Sequence, residues 1–258
     1  MESWQLKFTP QLSGQANMEY DLRLFEQFEE GKIPSTLRIY SWKPKCISLG
    51  YAQKIERWIK GEKARGGPWG QGRWDVVKRP TGGGIVFHNE AEVTYSIVTD
   101  LNNPILPKGL VPAYKKLSEA VVYALGEIGI KAEIGHKNPH PPTLKIPPSP
   151  SGRGGRALRS VGEGSHLCFS FPAEYEIVVG GKKIVGSAQK RGNRTLLQQG
   201  SIFVSSTSKA AFSVLKSRQN EINAISVEEI LGRKVSFDEM AKALTIGFRE
   251  SLGHIFRS

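Results

Sequence analysis

A cysteine and a lysine that belong to one predicted hairpin are the strongest chemical signal in this sequence. Cys168 opens a stretch that continues through a Gly180-Gly181 turn to Lys183 and ends at Gln189. The thiolate is the reactive form of cysteine, and a neighbouring cation lowers the pKa of the thiol. A Lys183 folded back beside Cys168 could both activate the thiol and carry away its proton. The pair therefore predicts covalent acyl transfer through Cys168.

Three consecutive glycines, Gly82, Gly83 and Gly84, form a second candidate site. Such a run lets the backbone approach a ligand and offers amide hydrogens to an anion or a carbonyl oxygen. Arg79 precedes the run and adds charge, and His88 ends the same segment. The spacing is neither that of a Walker loop nor that of a dinucleotide fingerprint. A bulged strand entry explains three glycines equally well, and a histidine at a strand end is more often structural, so these residues alone leave both interpretations open.

The composition limits the class of protein and of partner. The 258 residues include 36 Lys and Arg against 24 Asp and Glu, and the resulting net charge of +12 favours an acidic partner. Cys46 and Cys168 lie far apart, which gives neither a disulfide framework nor a zinc-ligand spacing. No apolar run approaches a membrane span and the first residues do not resemble a signal peptide. We therefore expect a cytoplasmic protein without a membrane partner, and we expect Cys46 to be a buried core residue.

The hydrophobic patterns predict the elements that must position these residues. Met18, Leu22 and Phe25 recur at helical spacing, so they predict the apolar face of a first helix whose acidic residues are solvated. Strands are predicted at 36–42, 46–51, 85–88, 92–98 and 196–204, with 85–88 and 92–98 joined across residues 89–91. Further helices are predicted over 112–128 and after capping boxes at Ser226 and Ser236.

The mixture of strands and helices predicts an α+β (mixed α/β) fold with mixed β-sheets packed against helices. We expect residues 1–258 to form a single catalytic domain. Residues 136–166 contain six prolines, five glycines and a single acidic residue, Glu163, beside several basic ones. Such a composition cannot form a packed core, so it predicts a mobile, basic loop.

Two segments of the sequence resemble a known family. Residues 78–88 with 92–96, and residues 181–189 with 197–202, are similar to the paired signatures of the lipoate-protein ligase and octanoyltransferase family. The resemblance extends less sharply from Trp4 to the end of the helix after Ser236. It implies a domain of the biotin/lipoate protein ligase type with an acyl tunnel lined by both signatures. The substrate-binding residues that it implies are Arg79, Gly82, Gly83, Gly84, His88, Gly186, Ser187 and Ala188.

Within this family, the segment around Cys168 most resembles the cysteine-dependent octanoyltransferases that act on the glycine cleavage H protein. Those enzymes show a Cys-Phe…Tyr-Glu pattern, which matches Cys168-Phe169 and Tyr175-Glu176 here. The short stretch after Lys183 also leaves little room for the accessory domain of many ligases. The resemblance thus implies octanoyl transfer from acyl carrier protein, through a Cys168 thioester, to a lysine of a lipoyl-domain protein such as the H protein, with no cofactor.

Two other functions stay open at this point. Gly84 stands where the transferases often have Arg, a choice that resembles the ATP-dependent lipoate-protein ligases, which would need ATP and Mg and leave Cys168 dispensable. A basic nucleic-acid-binding protein would use the net charge of +12. The scattered tryptophans do not form a stacking platform for bases, so we expect no nucleic-acid partner.

Overall fold

The computed structural model describes residues 4–54, 74–135, 175–206, 223–253 and 256–257. Four helices lie within these ranges: α1 (Gly14–Glu29), α2 (Leu110–Glu127), α3 (Val227–Leu231) and α4 (Phe237–Leu252). None of the helices in this part of the chain is both long and apolar enough to cross a membrane.

The strands of the described ranges form two sheets. They are β1 (Trp4–Leu12), β2 (Thr36–Trp42), β3 (Cys46–Leu49), β4 (Asp75–Lys78), β5 (Val86–His88), β6 (Val93–Asp100), β7 (Glu133–Ile134), β8 (Ile177–Val179), β9 (Lys182–Arg191), β10 (Thr195–Ile202) and β11 (Phe256–Arg257). The large sheet has eight strands in the order β11-β1-β2-β6-β10-β9-β8-β7, and the small sheet has the order β4-β3-β5. Both sheets contain parallel and antiparallel pairs, which confirms the predicted α+β fold with mixed sheets.

One face of the large sheet carries the apolar core. Leu37 and Ile39 of β2 and Tyr95 and Ile97 of β6 are fully buried there, in one cluster with residues of α2 and α4. The prediction of a helix over 112–128 is confirmed, because α2 covers the sheet with its apolar side. Alternate residues of a strand point to opposite faces, so the residues between these belong to the other side of the sheet.

Part of the other face of the large sheet is polar and yet buried. Arg38 of β2 lies in register with Ser96 of β6, and Ser96 lies in register with Gln199 of β10. The next such row holds Tyr40, Thr94 and Ser201. All seven residues of β2 are buried. The polar half of the alternation therefore marks an internal site rather than a solvated surface.

Helix α1 covers part of this polar face of the sheet. The prediction of which residues form the apolar face of the helix was wrong in two respects. Leu22 is 37% exposed, whereas Asp21 is completely buried. The physical reason is that Asp21 forms an ion pair with Arg38 of β2, with 2.7 Å between Oδ1 and Nη1. This pair turns Met18, Asp21 and Phe25 toward the sheet and leaves Leu22 in solvent.

The predicted strands at 85–88 and 92–98 exist but belong to different sheets. β5 pairs with β3 in the small sheet, whereas β6 pairs with β2 and β10 in the large sheet. The intervening residues 89–92 therefore cross from one sheet to the other. His88 lies at the start of this crossing and Glu92 at its end, with 2.5 Å between Nδ1 of His88 and Oε1 of Glu92.

The predicted glycine turn is confirmed, because Gly180 and Gly181 join β8 to β9 with positive φ angles of 56° and 75°. In this hairpin Ile177 pairs with Val185 and Val178 pairs with Lys183. The neighbouring residues Ile177 and Val178 of β8 thus oppose Val185 and Lys183 of β9, which are two positions apart. Ile184 lies between these two and is the extra residue of a β-bulge. Ile184 and Val185 both enter the core cluster, and Lys183 turns to the opposite face.

Replacement of Asp21 by Asn tests the buried ion pair. Asp21→Asn keeps the side-chain size but leaves the buried Arg38 charge without its anion, so the free energy of unfolding should fall by about 3 kcal/mol. Urea unfolding followed by circular dichroism measures this loss. Glu26→Gln, at an exposed position of the same helix, is the matched control and should change the value by less than about 0.5 kcal/mol. Equal small effects of both changes would show that the pair does not hold α1 on the sheet.

Candidate active site

A cavity of about 340 Å³, a volume that includes the open space at its mouth, lies between the two sheets. The large sheet contributes residues of β2, β6, β9 and β10 to its wall. The small sheet and the segment after β4 contribute the opposite wall. Its lining includes Met18, Tyr40, Trp42, Ser48, Arg79, Thr81, His88, Thr94, Gly186, Ser187, Ala188, Gln199 and Ser201.

One end of the cavity is closed by the network around Asp21. Its Oδ1 accepts hydrogen bonds from Arg38 and from Ser96, the latter at 2.8 Å. Its Oδ2 accepts from Tyr40 at 2.9 Å and from Gln199 at 2.6 Å. Burial, and next the charge of Asp21, hold the pKa of Tyr40 well above its ordinary value, so the hydroxyl stays protonated and donates. Four donors thus satisfy a carboxylate that has no access to solvent.

The same network reaches the glycine segment. Gln199 accepts a hydrogen bond from the Thr81 hydroxyl at 2.8 Å, and Thr81 directly precedes Gly82. Arg79 then fixes the segment from the other side. Its guanidinium donates to the carbonyl oxygen of Gly82 at 2.7 Å and to that of Gly84 at 2.5 Å. Two carbonyl groups are therefore held on Arg79.

A chain of hydrogen bonds connects Arg79 to His88. Nη1 of Arg79 lies 3.0 Å from the Ser48 hydroxyl oxygen, which lies 2.7 Å from Nε2 of His88. Nδ1 of His88 lies 2.5 Å from Oε1 of Glu92. The Trp42 ring stacks on the imidazole with 3.8 Å between the ring centroids. Ser48, His88 and Glu92 thus have the geometry of a hydroxyl, a base and a carboxylate that orients the base.

Lys183 is completely buried and forms a salt bridge with Glu176. Its neighbour Lys182 is exposed. The two lysines therefore differ in burial, as the alternation of a strand leads one to expect. Lys183 precedes Gly186, which lines the cavity, by three residues on β9.

Cys168 and the predicted loop 136–166 lie outside the described residues. The residues that flank this segment are described, and they meet. The Tyr175 N–H donates to the Gly135 carbonyl at 2.9 Å, and the Gly135 N–H donates to the Glu176 carbonyl at 2.7 Å. The chain therefore returns from this segment at Glu176, the partner of Lys183.

The structure brings most of the predicted site residues together. Arg79 and His88 line the cavity from one side, and Gly186, Ser187 and Ala188 line it from the other. Gly82 and Gly84 adjoin it through their bonds to Arg79. The catalytic and binding roles of all these residues stay predictions.

Sequence reasoning missed several polar residues of this site, above all Asp21, Arg38, Ser48, Glu92 and Gln199. Each belongs to a predicted helix, strand or signature, but its neighbours in the sequence do not indicate that it is buried. A usable signal was the polar half of the alternation in residues 36–42, which needs a second layer to cover it. Within the described ranges, no group of three His, Cys, Asp or Glu side chains is arranged to hold a metal ion.

Comparison with known proteins agrees with this geometry. The family model for the lipoyl protein ligase A/B catalytic domain matches residues 13–249. An octanoyltransferase LipM of Kyrpidia tusciae is 34% identical, over 98% of this chain and 88% of that protein. Another of Moorella thermoacetica is 36% identical, over 91% of this chain and 81% of that protein. A bipartite lipoate protein ligase of Thermoplasma acidophilum shares the fold with a TM-score of 0.69 and 21% identity, over 100% of this chain and 87% of that chain.

Cys46 should be unreactive in the folded protein. Burial, and next the charges of Asp75 and Glu92, raise the pKa of its thiol well above the ordinary value, which removes the nucleophilic thiolate. The Cys168→Ala variant retains Cys46 as its sole cysteine. Its reaction with iodoacetamide, followed by intact mass, should be about 100-fold slower in the native state than in urea. Similar rates in both states would contradict the burial of this thiol.

Gly83 should tolerate a side chain less well than Gly82. Its φ is +88°, and an added Cβ would lie 3.0 Å from Nη2 of Arg79. The Gly83→Ala variant should therefore lose about 1 to 2 kcal/mol of unfolding free energy in urea. Gly82→Ala is the matched control, because its Cβ would meet only Tyr51 at 3.7 Å. A loss as large for Gly82→Ala would refute the conformational reason.

Proposed function

The chain belongs to the lipoyl protein ligase A/B catalytic domain family, and on that premise we propose that it is an octanoyltransferase working through a thioester on Cys168. The protein is an acyltransferase that serves octanoyl transfer in lipoate biosynthesis. The observation that supports the proposal most is the match to octanoyltransferases over nearly the whole chain, combined with a cavity walled by both sequence signatures. The donor, the acceptor and the role of Cys168 are the proposal itself.

The first half-reaction loads the enzyme. The Cys168 thiolate attacks the carbonyl carbon of octanoyl-acyl carrier protein, one S–C bond forms and the S–C bond to the carrier breaks. The carrier leaves as a thiolate and takes up the proton that Cys168 gave up. The octanoyl chain enters the space between the sheets, beside Trp42 and Tyr40. The net charge of +12 favours docking of an acidic carrier.

Lys183 supports this step as a cation rather than as a free amine. Its salt bridge with Glu176 keeps the positive charge inside the protein, and a fixed positive charge favours a thiolate over a thiol. The β-bulge at Ile184 is what turns this lysine away from the apolar core. Cys168 lies only eight residues before Glu176, so the chain between them can bring the thiol to this charge.

The second half-reaction transfers the acyl group to the acceptor. Enzymes of this family act on lipoyl-domain proteins, and we assign to this chain a lipoyl-domain acceptor such as the glycine cleavage H protein. Its lysine amine attacks the thioester, and the amide product makes the step downhill without ATP. Amides of the Gly82–Gly84 segment would donate to the oxyanion, where one good donor contributes about 3 to 4 kcal/mol. Arg79 holds the carbonyl groups of this segment, which keeps the amides in one arrangement.

An ATP-dependent lipoate-protein ligase is the second candidate, because Gly84 is the ligase-like residue of the signature. It would activate a free acid as an acyl-adenylate beside Gly82–Gly84 and Lys183, with ATP and Mg as further requirements. Cys168 would then have no role in the reaction. The two candidates therefore differ in what they predict for Cys168.

Intact mass should show an octanoyl adduct on the enzyme after mixing with octanoyl-acyl carrier protein without ATP. The adduct should be released by hydroxylamine, because it is a thioester. Cys168→Ala should lose it completely, and Cys46→Ala, the matched control at the buried cysteine, should retain it. An adduct that persists in Cys168→Ala, or that never forms in the wild type, would contradict the cysteine mechanism.

Substitution of Lys183 should slow formation of this adduct about 100-fold, the usual effect of losing one charge-stabilising group. Lys183→Met removes the charge and nearly preserves the length, and Lys182→Met makes the same change at the exposed neighbour. The double variant Lys183→Met with Glu176→Gln shows whether an unpaired Glu176 is responsible. Equal rates for the two single variants would exclude a role for the buried cation.

A further inference from the structure

The two proposed half-reactions differ in their proton balance. In the first, a thiol replaces a thiol: Cys168–SH and the carrier thioester give octanoyl-Cys168 and a carrier thiol, with no net proton. In the second, the acceptor lysine arrives as an ammonium ion, since its ordinary pKa is about 10.4. An N–C bond forms, the S–C bond breaks, the Cys168 sulfur takes one proton, and one further proton is released. A proton acceptor is therefore required only in the second half-reaction.

Lys183 is not suited to be that acceptor, because it is already engaged as the cation of a buried salt bridge. Among the described residues that line the cavity, His88 is the one whose side chain type titrates near neutral pH. Its exposed fraction is 3%, so solvent does not compete for the ring inside the folded protein.

The hydrogen bonds around His88 prepare its Nε2 to accept a proton. Glu92 lies 2.5 Å from Nδ1, and a carboxylate there holds the hydrogen on Nδ1. Nε2 is then the acceptor of the Ser48 hydroxyl at 2.7 Å. Arg79 donates to the same hydroxyl oxygen at 3.0 Å, which leaves the Ser48 hydrogen directed at the imidazole. The charged groups that face His88 are thus Glu92 directly and Arg79 through Ser48.

The register of the strands places His88 at the end of the cavity away from the Asp21 network. Ser201 of β10 lies 3.5 Å from Nδ1 of His88, whereas Gln199, two residues away, belongs to the Asp21 network. Two residues of a strand span about 7 Å. Ser201 is also in register with Gly186 on β9, the strand that carries Lys183. An octanoyl tail that points to the Asp21 end therefore places its carbonyl at the end of His88, and Lys183 lies farther along β9, three residues before Gly186.

We propose that His88 is the base of the second half-reaction, that Ser48 passes it the proton, and that Glu92 is the positioning residue for the imidazole. The ammonium proton moves to the Ser48 oxygen as the Ser48 hydrogen moves to Nε2, and the imidazolium later returns its proton to solvent. Cys168 receives the second amine proton when the S–C bond breaks. The inference rests on the proposed function, because it concerns the transfer step of that reaction.

Single-turnover kinetics separate the two half-reactions. The octanoyl-enzyme is prepared from octanoyl-acyl carrier protein without ATP and isolated, and lipoyl-domain acceptor is then added and quenched at intervals for intact mass. His88→Gln and Glu92→Gln should lower the transfer rate about 100-fold, the lower end for a general base, and change the acylation rate only severalfold. Glu90→Gln, the same change at an exposed carboxylate two residues from Glu92, is the matched control and should leave both rates unaltered.

The pH profile of transfer distinguishes a base from a structural residue. The His88→Gln rate should rise about tenfold per pH unit toward the pKa of the lysine, because only free amine then reacts. The wild-type rate should rise less steeply, because a base inside the protein takes the ammonium proton. A wild-type rate that rises as steeply as that of His88→Gln, or variants that slow both half-reactions equally or neither, would overturn the inference. A wild type that forms no octanoyl-enzyme would refute the proposed function instead, and the inference with it.

Discussion

The buried ion pair between Asp21 and Arg38 is the interaction on which the arrangement of the cavity depends. Asp21 comes from α1 and Arg38 from β2, and hydrogen bonds to Ser96 and Gln199 add β6 and β10. Removing two charges from water is costly, so the pair adds little to the free energy of unfolding compared with an apolar pair. Its main effect is to fix the position of α1 on the sheet. The cost is offset by complete hydrogen bonding of the carboxylate. Through Gln199 and Thr81 the same network reaches the glycine segment, so one anchor sets the distance between both walls.

The cavity that results has chemically distinct ends. The closed end is formed by a buried network in which the Asp21 carboxylate accepts four hydrogen bonds. The other end holds the imidazole of His88 with Glu92, and the salt bridge of Lys183 with Glu176 lies farther along β9, three residues before Gly186. A fixed cation suits a step that needs a thiolate, and an imidazole that a carboxylate orients suits a step that releases a proton. The two pairs therefore match the two half-reactions of thioester transfer.

The sequence alone predicts which helices and strands form better than it predicts which of them contact one another. The Gly180-Gly181 hairpin, α2 and the capping box of α3 follow from local signals, and the structure confirms them. At α4 Ser236 caps the helix, but the second bond of the predicted box is replaced by a salt bridge of Glu239 with Arg233. The burial of Asp21 could not be predicted, because its partner Arg38 lies on a different element. The approach of His88 to Ser48 likewise depends on the pairing of β5 with β3, two strands that are far apart in the sequence. Among the predicted catalytic pair, Lys183 is placed by a bulge, and the role of Cys168 rests on the resemblance to octanoyltransferases.

The most direct test of thioester transfer is the mass of a lipoyl-domain acceptor incubated with the purified protein and either of two octanoyl sources. One source is octanoyl-acyl carrier protein without ATP, and the other is free octanoate with ATP and Mg. The account predicts that the acceptor gains one octanoyl group from the thioester alone, at a rate that ATP does not change. Modification of the acceptor only from free octanoate with ATP would contradict it and identify the protein as a ligase.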